Sequence, residues 1–131
     1  MTRYVILLNC SSPCTPKVVQ YERDDRIIDW EQWNKLKSLC EQDIDLWEGV
    51  YLDDGFVMLV AEDGKLRNMP PNSLADRLYG SPYDAIVGDA VIIHVDEESP
   101  EDVRFLTLDE CKKFIRDRFP RYVELIPVED S

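Results

Sequence analysis

The sequence has little material for three common kinds of active site. It contains one histidine, His94, which falls in an apolar predicted strand, where a histidine is more often held by its neighbours than used as a base. A phosphate-cradling loop needs clustered glycines, and the five here are dispersed. No serine lies in a nucleophile elbow. We therefore expect a protein that is not an enzyme.

Long hydrophobic runs are absent as well. The apolar run near the N-terminus, residues 4–8 (YVILL), is far too short to span a membrane and too short for a secretory signal. We expect a cytoplasmic protein with no membrane partner.

Cysteines are few, and only two of the four are close in sequence. Cys10 and Cys14 have a loop spacing that zinc could use, but a structural zinc site usually needs a second such pair. Cys40 and Cys111 stand alone on predicted helices. Reduced thiols are therefore expected, with no metal and no cofactor, although a Cys10–Cys14 bridge or metal clip stays open.

Basic residues are scarce in the middle of the chain. Residues 43–102 contain fifteen acids against Lys65, Arg67 and Arg77, whereas both flanking segments are balanced, so this part carries the whole net charge of −12. Such a field repels nucleic acid and attracts basic partners, unless it only keeps the protein soluble. The densest run, DEESPED, supplies a candidate binding patch of five acids: Asp96, Glu97, Glu98, Glu101 and Asp102.

Hydrophobic periodicity predicts an α+β fold in the order ββαβββαβ(β)αβ, a largely antiparallel sheet with two main helices and one short helix mainly on one face. Capping boxes predict the starts of the main helices, Asp29 with Gln32 and Thr107 with Glu110. Residues 1–131 are one predicted domain, with a core at about 4–119 and an extension at 120–131. Among the predicted strands are residues 43–52, 56–61, 66–69 and 86–95, and an edge strand at 122–128.

Two acid-glycine pairs flank the apolar strand 56–61. Asp54, the strand, and then Asp63-x-Lys65 follow the order seen in a class of metal-dependent nucleases. An extended strand rises ~3.3 Å per residue, which separates the two aspartates by roughly 25 Å. One metal ion cannot bind both, so we interpret the pairs as hairpin turns.

Aromatic residues raise a second binding possibility. Trp30 and Trp33 share the apolar stripe of the first helix, which we interpret as core packing rather than a ligand site. On the predicted strand 43–52, acids and aromatics share one face that could stack a base or another ring. This alternative binding face comprises Asp43, Asp45, Trp47 and Tyr51.

Three stretches carry a resemblance that covers residues 4–119: GVYLDDGFVMLVAEDGKLRNMPPN, YDAIVGDAVIIHVD and FLTLDECKKFI. They resemble the domain-of-unknown-function family 3846. The resemblance implies an accessory protein of gut bacteria, their phages or their conjugative elements, and it carries over no catalytic residue. Departures from the family pattern, and hence candidate places for specificity, are residues 22–33, the EESPED loop and the tail after residue 120.

Three functional hypotheses follow. The first is a non-catalytic accessory protein of a phage or mobile element whose acidic surface engages a basic host or phage protein, in its most specific form an inhibitor or nucleic-acid mimic acting on a defence system. The second is a small-molecule or nucleotide binder. The third is an enzyme using His94, Cys111 or a carboxylate pair, which a pocket holding His94 beside a thiol or two acids would support. A homodimer could form through the edge at residues 122–128.

Overall fold

Six strands and three helices make up the computed structural model, which describes residues 2–11, 13–21, 27–82 and 84–126. The strands are β1 (Arg3–Leu8), β2 (Pro16–Tyr21), β3 (Trp47–Tyr51), β4 (Phe56–Ala61), β5 (Ala90–Val95) and β6 (Val103–Arg104). The helices are α1 (Trp30–Lys37), α2 (Ser73–Tyr79) and α3 (Leu108–Arg118). Two 3-10 turns cover Asp53–Gly55 and Pro120–Leu125.

The strands form one antiparallel sheet in the order β2-β1-β5-β4-β3, with β6 paired to β5 off this path. β4 therefore lies between β5 and β3, and all six of its side chains are buried, as its unbroken apolar sequence predicts. β3 lies at the edge. The α+β class with an antiparallel sheet is confirmed.

The three helices divide over the two faces of the sheet. α2 and α3 cover one face, where Phe114 and Leu74 share a core with Met58 of β4. α1 covers the other face, where Leu36 packs with Val57. Two buried faces explain why β4 and β5 are apolar at nearly every position.

Local signals set the helix ends as predicted. The Asp29 carboxylate accepts a hydrogen bond from the backbone N–H of Gln32 (3.0 Å), and the Gln32 side chain returns one to the Asp29 N–H (2.8 Å). Thr107 and Glu110 make the same reciprocal pair before α3. α1 ends at Lys37, so Cys40, which was predicted to lie on this helix, follows it in the turns and bends of residues 38–42.

The Asp54-Gly55 pair is a turn between β3 and β4. Asp54 and Gly55 have φ of 62° and 82°, the left-handed conformation that such turns require. A Cβ at Gly55 would lie 2.6 Å from Cε1 of His94, so the turn sits directly against the imidazole.

Two predicted strands are wrong. Residues 62–68 form successive turns, in which the N–H of Asn68 bonds the Lys65 carbonyl, so no strand covers residues 66–69. The edge strand predicted at 122–128 is replaced over Pro120–Leu125 by a 3-10 turn, because proline fixes φ and supplies no N–H where that turn begins. Residues 127–128 lie outside the described part of the chain.

Two other strands are shorter than predicted. The strand expected over residues 43–52 is confined to β3, and the one expected over 86–95 begins only at Ala90, after Gly88 with φ 79°. Within the described ranges, no helix combines the length and the apolar character that crossing a membrane requires.

Candidate functional site

A groove lies between α1 and the edge strand β3. It encloses a cavity of ≈ 350 Å³, with apolar side chains of β4 as its floor. This volume is in the range of small-molecule sites. We call it the α1–β3 groove, and the residues used below are Trp30, Trp33, Trp47, Gly49, Tyr51 and Leu46, with charged residues at its rim.

Strand alternation builds the groove. Alternate residues of a strand face the same side of the sheet. On β3 these are Trp47, Gly49 and Tyr51, and they lie on the face that α1 covers elsewhere in the sheet. Gly49 is paired with Leu59 across the sheet, which makes Leu59 part of the floor. Because Gly49 has no side chain, the centre of this face is open between the two aromatic residues.

Apolar side chains are unusually exposed here. The exposed fractions are 77% for Trp30, 71% for Tyr51 and 59% for Leu46. The interpretation of Trp30 as core packing is therefore wrong: Trp30 is the first residue of α1, and the buried residues of this helix are Gln32 and Leu36. Trp33 is half-buried, and the indole N–H of Trp47 donates to its carbonyl oxygen at 3.4 Å, which ties β3 to α1.

The rim of the groove is charged. Asp45 and Glu101 are exposed carboxylates, and Lys37 donates from Nζ to the backbone carbonyl oxygen of Asp45 at 2.6 Å. Residues 43–54, which contain β3, include five acids and no basic residue. The edge of the sheet beside the groove is therefore acidic.

Three residues of the predicted aromatic and acidic face meet in this groove, and one does not. Asp45, Trp47 and Tyr51 line it. Asp43 lies outside and forms an ion pair with Arg67, Nη2 to Oδ2 at 3.5 Å.

The five acids of the DEESPED loop do not share one surface. Asp96 is buried, and its Oδ1 accepts hydrogen bonds from the backbone N–H groups of Glu98 (2.8 Å) and Ser99 (3.3 Å), so it orders the loop. Glu97 forms an ion pair with Arg104. Glu98 and Glu101 are exposed, and Asp102 is half-buried.

Arg104, whose side chain is buried, is the centre of a charge network that no spacing in the sequence indicates. Its guanidinium binds both oxygens of Glu110 at 2.8 Å and reaches Glu97 from Nε at 3.3 Å. Burial raises the pKa of Glu110, but hydrogen bonds from Arg104 and from the Thr107 N–H outweigh burial and lower this pKa to about 2. The Arg104 hydrogen bonds likewise lower the pKa of Glu97.

His94 lies against the same network. Its Nδ1 is 2.8 Å from the Val95 carbonyl oxygen, and its Nε2 is 2.9 Å from the Asp54 carbonyl oxygen. Glu97 and Glu110 place carboxylate oxygens 3.8 Å and 3.6 Å from these nitrogens. The third hypothesis asked for two acids beside His94, and they are present, but both carboxylates bind Arg104, and the ring nitrogens face two backbone carbonyl oxygens, of which a neutral imidazole can donate to only one.

The same three side chains have the composition of a metal site. One donor atom from each of His94, Glu97 and Glu110 lies within 4.8 Å of the others. However, both carboxylates bind the Arg104 guanidinium, which supplies the positive charge that a cation would bring. The arrangement fits an internal ion-pair network better than a metal centre.

Two of the thiols, Cys10 and Cys111, are buried, and Cys14 and Cys40 are half-buried. All four cysteines are free. Burial raises the pKa of Cys10, Cys40 and Cys111 to about 12, which disfavours the reactive thiolate. The Cys14 thiol donates to the Cys10 carbonyl oxygen at 3.3 Å.

Residues 15–119 match the family described as "Domain of unknown function (DUF3846)". This stretch is most of the 131-residue chain. The chain belongs to the DUF3846 family. Comparison with curated proteins and with solved structures found no match. The match begins after β1, yet β1 lies between β2 and β5, so the sheet of this DUF3846 chain includes a strand outside the matched stretch.

A second cavity of ≈ 470 Å³ lies on the other face of β3, beside Arg77 and Arg118. The Arg118 guanidinium is 4.6 Å from the centroid of the Phe114 ring and 4.9 Å from that of Phe56. Arg77 lies 5.8 Å from the centroid of Phe119. Because these arginines already stack on rings of the core, we consider this cavity a weaker candidate than the groove.

Asp54 and Asp63 lie at opposite ends of β4. Asp54 is 3.6 Å from Nζ of Lys113, and Asp63 is 3.9 Å from Nη1 of Arg67. The two aspartates therefore have different cationic partners, consistent with turns at the two ends of the strand.

The groove could have been found from one signal in the sequence. Gly49 interrupts a strand between Trp47 and Tyr51, and a glycine inside a strand often marks a place where a ligand or another backbone approaches closely. The contribution of Trp30 has no such local signal, because it depends on which strands α1 covers.

Proposed function

We propose that the protein is a non-catalytic binding protein that holds a basic partner in the α1–β3 groove. The observation that carries the proposal is the exposure of Trp30, Leu46 and Tyr51 around one groove. Exposed apolar patches with polar rims mark interaction sites, and tryptophan and tyrosine are the residues most enriched at binding hot spots.

The charge of the protein supports a basic partner. Asp45 and Glu101 line the groove, and Glu48 and Asp53 are exposed along the same edge. A net charge of −12 attracts a basic surface from a distance and repels an acidic one. Apolar contacts in the groove would then determine how long the complex lasts.

The non-catalytic part of the proposal rests on the network around Arg104. A general acid or base must reach a substrate proton, whereas His94 is buried and its ring nitrogens face backbone carbonyl oxygens. Arg104 binds both neighbouring carboxylates. These groups stabilise the loop and α3 against each other.

In the most specific form of the proposal, the protein is an accessory protein of a phage or mobile element and acts in the cytoplasm on a host protein. A role as an inhibitor or nucleic-acid mimic against a defence system is supported by the acidic edge at residues 43–54. A host protein that binds nucleic acid presents the basic surface that such an edge attracts.

The test compares affinity columns that carry the wild type, a Trp30→Ala/Tyr51→Ala variant and a Leu66→Ala control. Leu66 is 88% exposed and lies in the turns after β4, away from the groove. Host lysate is applied and eluted with a salt gradient. We expect a basic protein on the wild-type and control columns that is lost from the groove variant; equal retention by all three would contradict the proposal.

A second candidate function is the binding of a small planar molecule. Four aromatic residues line the ≈ 350 Å³ groove: Trp30, Trp33, Trp47 and Tyr51. Stacking on such side chains would bind a nucleobase or a similar ring. A ligand of this kind would raise the melting temperature of the wild type but not of Tyr51→Ala, and a flat response across a nucleotide and metabolite panel would contradict it.

A further inference from the structure

We infer that the partner binds as an added strand: an extended basic segment of another protein pairs with the free edge of β3 and places a large side chain over Gly49. The inference rests on the proposed function, because it specifies the partner of the same groove. It makes the backbone of β3, as well as its side chains, part of the binding site. Strand addition of this kind is a common mode of peptide recognition.

The backbone of β3 presents unpaired groups to solvent. The residues that flank β3 form hydrogen bonds with β4 through their backbone groups. The N–H of Leu52 donates to the Phe56 carbonyl oxygen at 2.9 Å, and the Leu46 carbonyl oxygen accepts from the N–H of Glu62 at 3.0 Å. In an antiparallel pair, the backbone N–H and C=O groups of successive residues point alternately toward the partner strand and away from it. Across the described part of the chain, no hydrogen bond satisfies the groups that point away, which belong to Trp47, Gly49 and Tyr51.

The space beside this edge can accept a large side chain. A Cβ at Gly49 would meet only Cγ1 of Val57, at an ordinary contact distance of 3.6 Å. Gly49 is not among the residues with positive φ, so the backbone does not require glycine there. What the glycine provides is the gap between Trp47 and Tyr51, and an aromatic side chain from a neighbouring strand is the kind of group that covers such a gap.

Charge determines which strand would pair. A second copy of the chain would bring its own Asp45, Glu48 and Asp53, which are exposed along this edge, against the same three acids, so pairing of β3 with itself is disfavoured. Glu48, the one charged residue of β3, does not repel a segment rich in lysine or arginine. A basic strand with alternating apolar residues would form hydrogen bonds with the β3 backbone, attract the acidic edge and place apolar side chains in the groove.

We expect the variant Gly49→Val to block pairing at β3 without unfolding the protein. Gly49→Val adds a side chain that favours strands; its Cβ would lie at an ordinary contact distance from Cγ1 of Val57, and we expect its methyl groups to fill the gap. Gly49→Ala is the matched control, because it removes the glycine but adds little volume. Circular dichroism and thermal melting of both variants check that the fold is kept.

The probe is a display library of random peptides of about twelve residues, since β3 spans ~16 Å and a pairing strand needs some excess length. Peptides selected by the wild type are titrated against wild type, Gly49→Ala and Gly49→Val. We expect basic sequences with alternating apolar residues that bind Gly49→Val at least ~10-fold more weakly and Gly49→Ala almost normally.

Amide hydrogen exchange, followed by NMR with and without a selected peptide, tests the pairing itself. We expect exchange at the outward N–H groups of Trp47, Gly49 and Tyr51 to slow by ~10-fold or more on binding, while Glu48 and Val50, already bonded to β4, change little.

The outcomes separate strand addition from groove binding. Peptides that bind without slowing these outward amides, but that lose affinity in Trp30→Ala/Tyr51→Ala, would overturn strand addition and leave the proposed function intact. Strand addition would also be overturned if the wild type selected no peptide over an unrelated protein. The same holds if the outward amides of the free chain were already protected from exchange in a dimer. The proposed function fails separately, in the lysate comparison, which needs no peptide.

Discussion

Replacing Glu110 by glutamine should destabilise the protein strongly, and the penalty should disappear in acid. The variant removes the charge that binds Arg104, whose side chain is 6% exposed, but it keeps the capping box, because glutamine also serves at that position. Glu97→Gln is the matched control: it removes the other carboxylate of the network, which is 61% exposed.

The size of the effect follows from the lowered pKa of Glu110. A shift from ~4.3 in the unfolded chain to about 2 in the folded protein corresponds to about 3 kcal/mol of stability at neutral pH. Because the folded pKa is lowered, this contribution is present above pH ~4.3 and is lost as the pH falls through about 2. Glu97→Gln should cost less than about 1 kcal/mol, since solvent screens an exposed pair.

Urea denaturation followed by circular dichroism measures both variants at pH 7 and pH 3. We expect Glu110→Gln to lose about 3 kcal/mol at pH 7, and the difference from the wild type to shrink by roughly half at pH 3. An equal cost for the two variants, or a Glu110→Gln penalty that does not change with pH, would refute the interpretation of Arg104 as the centre of a charge network.

Three further predictions concern other parts of the fold. Gly55→Ala should lower the free energy of unfolding by at least about 2 kcal/mol, since an alanine is strained at φ 82° and its Cβ meets His94. Gly80→Ala at φ 68° places its Cβ near no atom within 4 Å and should cost only about 1 kcal/mol, as measured by thermal melting. Asn72→Ala should cost about 2–4 kcal/mol, because its buried amide donates to two backbone carbonyl oxygens at 2.8 Å; a loss below 1 kcal/mol would contradict this. At pH 8, a thiol reagent should modify the buried thiols of Cys10 and Cys111 only after urea is added, and rapid reaction of either one in the folded state would refute its burial.

The parts of the fold that depend on nearby residues could be predicted from the sequence. Both capping boxes join residues three apart, so Asp29 with Gln32 and Thr107 with Glu110 appear as expected. The same holds for the Asp54-Gly55 turn. β4 could be placed inside the sheet because covering both of its faces requires an unbroken apolar sequence.

The features that depend on strand order could not be predicted. Helical periodicity predicts that Trp30 belongs to an apolar stripe, but only the folded structure shows that this side chain stays exposed beside the edge strand. The network of Arg104 joins a loop, a short strand and α3, which no spacing indicates. Asp96 resembled a surface acid because a buried carboxylate that orders a loop has the same sequence context.

Residues 66–69 were predicted to continue the sheet because apolar residues follow an acid-glycine pair. The structure pairs β4 with β5 instead, and this long-range pairing covers the edge that residues 66–69 would have occupied. The family match to DUF3846 identifies the chain's relatives and leaves its partner to be found by experiment.

Photo-cross-linking in the host cell tests most directly whether the α1–β3 groove is where the protein binds its partner. A benzophenone amino acid is placed at Tyr51, 71% exposed in the groove, or at Leu66, 88% exposed outside it. We expect a discrete cross-linked protein from position 51 that is absent from position 66 and that disappears when Gly49→Val is added. A cross-link from position 66 alone, or none from position 51 in cells where position 66 reacts, would contradict it.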